Sequence, residues 1–413
     1  MTGWLRRLAR LAALLIAFFV VRTALSLWPP SLQVAPDWYA LTGVTVINPG
    51  RQRYADQTLI LRGGRIESMR AGVPETSLLP RWRVFKGRFV LPGVVDLDAR
   101  RLPSIAHLQR MFGVYFLFGG VTTVRVFDGS ENVVALQRRI DAGEIPGPRL
   151  ITCSRMLEGA PPPCGGAHLL SALSPAPPGE RVSERLRGWE RLDAAGLDGL
   201  VGSASAQRSA LIPNLFRWHQ LTVDDDARAH TPGVEFMPRF YREVTWPHEA
   251  AQLAGGADPS RAVQAMEQAV RRLHDAGVSI HVGSATPSPF VTPGIGALQE
   301  IARLAAAGFT LEDAWAAATR SAGEALGIPQ LGVIEEGAPA DLLVFRQDPT
   351  QDPDAILTLE AVVTQGRLYP HPLLGRYVLE YVRYTRGRAY EWLSMAVARL
   401  GLWWSGAQAV DPS

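Results

Sequence analysis

Lysine is almost absent from this chain of 413 residues: Lys86 is the only one, and every other basic residue is an arginine. Cysteine is also scarce. Cys153 and Cys164 are the only two, and their spacing fits either a short-loop disulfide or two free thiols. The 42 basic and 39 acidic residues are scattered along the chain, without the concentrated basic stripe that nucleic-acid binding needs. A nucleic-acid-binding protein is therefore excluded.

The motifs of several enzyme classes are missing as well. No glycine-rich phosphate loop follows a strand-like run, and the sequence contains no recognisable motif of a catalytic serine, histidine and aspartate. No repeat of fixed period is visible. With 47% hydrophobic residues, the chain can bury a large core, so we expect a globular protein.

The N-terminal segment, residues 1–33, predicts a membrane anchor. A cluster of arginines between positions 6 and 10 precedes an apolar stretch, residues 11–28, which only Arg22 interrupts. This stretch is just long enough to span roughly 30 Å of hydrocarbon, and Arg22 lies close enough to its end to snorkel outward. A cleaved export signal, with residues 24–26 as the cleavage region, is the alternative. Either interpretation places the bulk of the chain on the periplasmic side of a bacterial inner membrane, where a Cys153–Cys164 disulfide can form.

The two ends of the remaining chain carry β-strand patterns. Short β-branched runs separated by turns fill residues 39–70, and matching runs follow residue 332. These segments predict one composite β-sandwich, built from residues 34–90 and 332–370.

The middle of the chain, residues 91–331, alternates apolar strand-like runs with helical stretches. This alternation is the pattern of a parallel sheet wrapped by helices, so the fold class is α/β. Strands are predicted over residues 121–126 and 278–282. Helices are clearest over residues 260–276 and 311–326.

Several segments in this order resemble the metal-dependent amidohydrolase superfamily, in the branch similar to imidazolonepropionase and Xaa-Pro dipeptidases. They are VLPG at residues 90–93, GGVTTVR at 119–125, GPRL at 147–150, and the run from Gly332 through Ala340-Asp341-Leu342. The resemblance covers about residues 39–370. It implies a (β/α)8 TIM-like barrel whose C-terminal mouth holds one or two divalent metals, such as zinc, and a metal-activated water that attacks an amide or similar carbonyl.

The residues at the family's metal positions differ from the family pattern. The first strand of the family reads Asp-x-His-x-His, and here it holds Asp98 and Arg100 in place of the histidines. An arginine stays cationic and has no lone pair to donate to a metal. The pattern of the fourth strand matches residues 196–201 and places Val201 where a carbamylated lysine stands, and Lys86 lies before the barrel.

The remaining positions of the resemblance are also altered. Asp224 stands where the fifth-strand histidine is expected, and Phe236 where the sixth-strand histidine is expected. On the eighth strand, the proton-shuttling aspartate corresponds to Ala285, whose methyl group cannot act as a general base. We therefore expect no bound metal and no cofactor, and we interpret all of these positions as vestigial.

Other polar residues of this region have two interpretations. Asp98, Asp224, Asp225, Asp226 and Glu235 are candidates for an oxygen-rich cation site, but solvated loop carboxylates or partners of Arg100 are the favoured interpretation. His281 is expected to be a buried core histidine, and His168 an ordinary loop residue.

The C-terminal extension, residues 371–413, mixes aromatic residues with arginines. Such a mixture suits an anionic membrane surface, and packing of the aromatics against the barrel or a partner is an equally favoured interpretation.

The sequence thus predicts a membrane-tethered protein of the amidohydrolase fold. Our main functional hypothesis is a metal-free pseudo-enzyme that binds a partner protein or a small anionic ligand at the barrel mouth. The alternative is a hydrolase of carbon–nitrogen bonds, in amides or dipeptides, with a rearranged active site. Zinc would be present only under this alternative.

Overall fold

The structure, a computed structural model, describes residues 29–72, 82–152, 168–169, 193–206, 210–254 and 258–408. The apolar part of the expected anchor and both cysteines lie outside the described residues. Across the described ranges, no helix has the length and apolar character needed to cross a membrane.

The strands and helices of the described residues alternate through the middle of the chain. The strands are β1 (Tyr39–Ile47), β2 (Arg53–Arg62), β3 (Arg65–Ala71), β4 (Trp82–Pro92), β5 (Val94–Ala99), β6 (Val121–Val126), β7 (Arg149–Thr152), β8 (His168–Leu169), β9 (Ala210–Ile212), β10 (Ser279–Ile280), β11 (Leu342–Phe345), β12 (Leu359–Thr364) and β13 (Arg367–Pro370). The α-helices are α1 (Ala106–Phe118), α2 (Glu131–Asp141), α3 (Ala194–Ala206), α4 (Leu215–His219), α5 (Asp225–Ala229), α6 (Trp246–Ala254), α7 (Pro259–Asp275), α8 (Ile295–Ala306), α9 (Leu311–Ala318), α10 (Arg320–Ala325), α11 (His371–Thr385) and α12 (Arg388–Gln408).

The two ends of the chain combine in one seven-stranded sheet, in the order β13-β12-β11-β4-β1-β2-β3. The junction is the antiparallel pair of β4 and β11, in which Val90 lies opposite Val344. The sheet is rolled, since the turns of its two outer hairpins lie close together. The Ala340 N–H donates to the Gly64 carbonyl between β2 and β3, and the Gly366 N–H, between β12 and β13, donates to the Ala340 carbonyl, both at 2.9 Å. One rolled sheet with an apolar interior thus replaces the predicted pair of sandwiched sheets.

A second layer contains the parallel strands. Strands β5, β6 and β7 form one three-stranded sheet, and β10, β9 and β8 form another. The segment after β10 links them, since the Leu97 N–H donates to the Val282 carbonyl at 3.0 Å and the Arg100 N–H donates to the Thr286 carbonyl at 2.7 Å. Among the described residues this layer consists of these two linked sheets, and a closed eight-stranded barrel stays a prediction.

The turn that opens β5 shows why this strand begins where it does. A Cβ on Gly93 would lie 2.0 Å from the Thr122 hydroxyl on β6, so only glycine allows the two strands to pair this closely. Every residue of β5 and of β6 is buried, as expected for strands of a parallel sheet covered on both faces.

Three strand predictions are wrong. Val201 lies within α3, where the buried Leu197 and Ala204 recur at helical spacing, so residues 196–201 are no strand. Asp224 precedes α5 as its N-cap, and its carboxylate accepts the Ala227 N–H at 2.8 Å. Phe236 ends a 3-10 helix, Val234–Phe236.

The helix predictions are closer to the structure. Helix α7 covers nearly all of the predicted 260–276 segment; the Asp258 carboxylate accepts N–H groups of its first turn, and Pro259 occupies the first helical position. The predicted helix over 311–326 divides into α9 and α10, because Thr319 leaves the helical region with φ −128° and ψ −98°.

Candidate functional site

Buried polar side chains collect where the parallel strands end. Asp98 lies on β5, Asn214 follows β9, and Ser284 follows β10. Because the carboxyl ends of parallel strands meet at one edge, these side chains share the position at which ligands bind in such sheets. This group of residues is the candidate site.

Asp98 is the central residue of the candidate site. Its side chain is buried, and one carboxylate oxygen accepts the Asn214 amide N–H at 2.7 Å. Gly283 makes room for both residues, since a Cβ there would lie 2.7 Å from the Asp98 Cβ and 3.0 Å from the Asn214 Oδ1. Asn214 itself has a left-handed backbone with φ 52°, a conformation that asparagine tolerates better than most residues.

Arg100 extends the charge of the site toward solvent. Its Nε lies 3.9 Å from the Asp98 carboxylate, and about a quarter of its side chain is exposed, at 26%. The pair is thus an ion pair at the limit of direct contact, with the aspartate buried and the arginine at the opening.

A second carboxylate, Asp96, lies deeper. It accepts the Ser284 N–H at 2.9 Å and the Ser284 hydroxyl at 2.5 Å, and the Thr286 hydroxyl lies 2.8 Å from that of Ser284. The pKa of Asp96 is raised to about 6, mainly by burial and to a smaller extent by the negative charge of Asp98, while the hydrogen bonds from Ser284 act in the opposite direction. Asp96 therefore fixes the loop after β10 beside Asp98.

A buried arginine balances the two carboxylates. Arg125 projects from β6, and its Nε donates to the Leu97 carbonyl at 2.7 Å, while Nη2 makes no hydrogen bond within the described residues. Burial lowers the pKa of Arg125, whereas Asp98 and Asp96 raise it. Burial, together with the nearby Arg125 charge, lowers the pKa of His281 to about 4, so the imidazole is neutral near pH 7.

Glu300 on α8 holds the loop that carries Asn214. Its two carboxylate oxygens accept the N–H groups of Leu215 and Phe216, at 2.8 and 2.7 Å, at the start of α4. Burial raises the pKa of Glu300 to about 7, against the lowering effect of these two hydrogen bonds. Glu300 thus acts on the candidate site through Asn214, as a positioning residue.

The described residues of the candidate site do not fit a hydrolytic metal ion. Nowhere in the described ranges do three histidine, cysteine, aspartate or glutamate side chains come together in a group that could hold one. Asp98 is engaged by the Asn214 amide, and two guanidinium groups, from Arg100 and Arg125, lie within reach of its charge. Their positive charge opposes a cation at this position.

The structure brings together only some of the residues that the sequence singled out. Asp98, Arg100 and Ala285 converge, because the Thr286 carbonyl accepts the Arg100 N–H at 2.7 Å beside Ala285, which is fully buried with φ 56°. His281 is buried, with its Nδ1 3.2 Å from the Ser321 hydroxyl.

The acidic residues of the expected cation site lie elsewhere. Asp224 is exposed, as are Asp225 and Asp226, which pair with Arg228 and His230 along helix α5. Glu235 is exposed, and Phe236 packs its ring against Phe118 at 5.9 Å in the helical layer. His168 lies on β8, and its side chain is outside the described part of the structure.

Sequence reasoning missed Asn214, Arg125, Ser284 and Glu300. Arg125 had a usable signal, since it is the one charged residue in the otherwise apolar and β-branched run VTTVRV. The other three carried none, because single polar residues in loops or on a helix become informative only when the fold brings them together.

Comparison with known proteins relates part of this chain to the amidohydrolase family. The model of the amidohydrolase family matches residues 223–368, from the loop before α5 to β13. No curated protein sequence matches the chain. The family match supports the predicted resemblance to amidohydrolases, and the solved structures described next share the fold of this chain.

Three solved structures represent the similarity. A Bifidobacterium longum protein described as a prolidase is 22% identical, with a TM-score of 0.59 over 81% of this chain and 95% of its own. The bottromycin amidohydrolase is 19% identical, with a TM-score of 0.60 over 84% of this chain and 90% of its own. A Xaa-Pro dipeptidase with methionine bound in its active site is 14% identical, with a TM-score of 0.53 over 81% of this chain and 100% of its own. At these identities the likeness concerns the fold.

Proposed function

We propose that this protein is a hydrolase of carbon–nitrogen bonds, in amides or dipeptide-like substrates, with an active site rearranged around Asp98. The carrying observation is the position of this buried carboxylate, held by Asn214 at 2.7 Å at the carboxyl end of β5, with Arg100 at the opening. The amidohydrolase family match, and neighbours that are named as acting on amide or dipeptide bonds, support the same class of reaction.

The chemistry we assign to the candidate site uses the described side chains. The Asp98 carboxylate takes a proton from a water molecule while the water oxygen attacks the carbonyl carbon of the substrate. The Arg100 guanidinium stabilises the charge that develops on the carbonyl oxygen. When the carbon–nitrogen bond breaks, Asp98 returns the proton to the leaving amine, so that one acid and one amine form from the substrate and water.

The test is an assay of amine release by the full chain from N-acetyl amino acids and dipeptides. Asp98→Asn should lower turnover by at least about 100-fold, because the amide of asparagine is no base. Asp224→Asn is the matched control; it makes the same chemical change at an exposed helix cap and should leave turnover unchanged.

Two results would contradict this proposal. Equal turnover of wild type and Asp98→Asn would remove Asp98 from the reaction. Turnover that disappears with a chelator and returns with stoichiometric zinc would show that a metal, rather than Asp98, activates the water.

A metal-free binding protein without turnover is the second candidate, and Arg125 favours it. This buried guanidinium leaves its Nη2 unbonded among the described residues, and a free cationic donor favours a carboxylate ligand over a cation. Calorimetry with N-acetyl amino acids separates the candidates. Binding that Arg100→Ala weakens, with no amine released by wild type, supports a binding protein; amine release supports the hydrolase.

The barrel and the membrane anchor complete the proposal. The strand order β7-β6-β5, linked through the segment after β10 to β9 and β8, supports a (β/α)8-like barrel. The basic and apolar pattern of residues 1–28 supports an anchor that leaves the folded region on the periplasmic side. Protease added to intact spheroplasts should then degrade the folded region; protection until the cells are lysed would contradict this placement.

A further inference from the structure

The C-terminal helix α12 exposes an apolar face. Trp392 is 75% exposed, Leu400 63% and Trp403 69%, and Leu393 and Val397 are exposed between them. At 100° per residue these side chains occupy one side of the helix. Single exposed apolar residues are ordinary on protein surfaces, whereas a continuous row of large ones marks a surface that binds something.

The opposite side of α12 is already packed. Tyr390 and Met395 are buried, and the Tyr390 hydroxyl lies 3.0 Å from the His107 Nε2. Helix α12 is therefore fixed along the protein surface. Leu393 and Val397 border a groove against the body of the protein, and the rest of the exposed face is turned to solvent.

The charges around this face are mainly basic. Exposed arginines stand at the end of α11 and along α12, namely Arg383, Arg386, Arg388 and Arg399, with Glu391 the only carboxylate within α12. An apolar face with tryptophans near both of its ends and arginines at its edge is the composition of helices that lie in the interface of an anionic membrane.

The sequence of residues 11–28, whose pattern predicts a membrane anchor, favours a lipid surface over a protein partner at this face. The first described residues lie against α11, where the Tyr377 hydroxyl donates to the Gln33 carbonyl at 3.2 Å. The described part of the chain therefore begins beside the helix that leads into α12.

We propose that the exposed face of α12 lies on an anionic lipid surface, which orients the folded region against the membrane. This proposal does not depend on the reaction at Asp98. It is tested by tryptophan quenching with the full chain, in phosphatidylglycerol vesicles that contain brominated lipid. The double variant Trp392→Phe/Trp403→Phe removes two of the eleven tryptophans, so its total emission should fall by about a fifth. The emission that is lost should be emission that the brominated lipid quenches in wild type.

The control is Trp38→Phe, which removes a partly exposed tryptophan directly before β1 and should leave the amount of quenched emission unchanged. Tryptophans within residues 1–28 contribute equally to all variants and cancel. A double variant with the same quenched emission as wild type would overturn the proposal. So would self-association, detected by sedimentation, that Leu400→Glu abolishes, because a second copy would then cover the face.

Discussion

The rolled sheet and the parallel layer bury different kinds of side chain. The shared interior of the rolled sheet is apolar, with Leu41, Leu61, Leu342 and Val344 fully buried. The parallel layer buries apolar residues as well, but it also buries Asp96, Asp98 and Arg125, and Glu300 on α8 is buried beside it. Burying charge costs free energy unless partners compensate it. The difference indicates that the carboxyl ends of the parallel strands retain a polar arrangement for binding or chemistry.

The largest effect that we expect comes from the rolled sheet. Leu342→Ala should lower the free energy of unfolding by about 4 kcal/mol, because it opens a cavity in a closely packed interior. Urea unfolding measures it, and Leu357→Ala, at a site 84% exposed, is the matched control with a change within about 0.5 kcal/mol. If the rolled sheet takes no part in binding, Leu342→Ala leaves ligand affinity unchanged at temperatures where the protein is folded.

Gly283→Ala should act on the candidate site itself. Its new methyl group would lie 2.5 Å from the Ile212 Cγ2 and 2.7 Å from the Asp98 Cβ, so one of them must move. We expect a loss of about 3 kcal/mol in stability, together with loss of turnover or ligand binding. Gly199→Ala in α3 meets nothing within 4 Å, and as a helix substitution it should slightly stabilise the protein. If Gly283→Ala keeps the turnover and ligand binding of wild type, the assignment of the candidate site is wrong.

Glu300→Gln tests whether a buried acid positions Asn214. The amide can accept only one of the two N–H groups at the start of α4, and a buried donor left unpaired should cost about 2 kcal/mol. Glu267→Gln, at a partly exposed glutamate, is the comparison. A structural role alone would change stability; a positioning role also lowers the affinity for N-acetyl amino acids at a temperature where both variants are folded.

The same residue predicts a pH dependence of stability. The folded protein keeps the Glu300 proton up to pH about 7, whereas the unfolded chain releases it near 4.5, so the folded state binds more protons between these values. The free energy of unfolding should therefore fall as pH rises through this window, by on the order of 1–3 kcal/mol. Glu300→Gln should flatten the profile. An equally steep profile in this variant would assign the dependence to another group, Asp96 being the first candidate.

The sequence predicted the elements whose pattern is local. The Pro-Gly turn and the buried run after it located β5 and hence Asp98 and Arg100 correctly beside the Ala285 segment. The match of residues 196–201 to a strand pattern was wrong because its glycines and small residues also suit the surface helix that forms there. Asp224 was misplaced since an aspartate after a short apolar run is equally a helix cap.

The site could be predicted only in part, for a different reason. Glu300 holds the backbone that follows Asn214 through the N–H group of Leu215, which lies 85 residues away in the sequence. No local pattern predicts such a contact. The substitutions at the metal positions were visible in the sequence. Only the fold shows that an amide and two guanidinium groups now surround the Asp98 carboxylate.

The pairing of β4 with β11 has a consequence for how the protein is made. The partners of this pair, such as Leu91 and Leu343, are separated by the entire parallel layer, so β4 has no antiparallel neighbour on that side until almost the whole chain has been synthesised. Contacts between such distant segments form slowly, and an unpaired strand edge invites aggregation. During translation the growing chain therefore has a long interval in which chaperones or the export machinery can hold it unfolded, and a ribosome that stops early releases a product with an open edge.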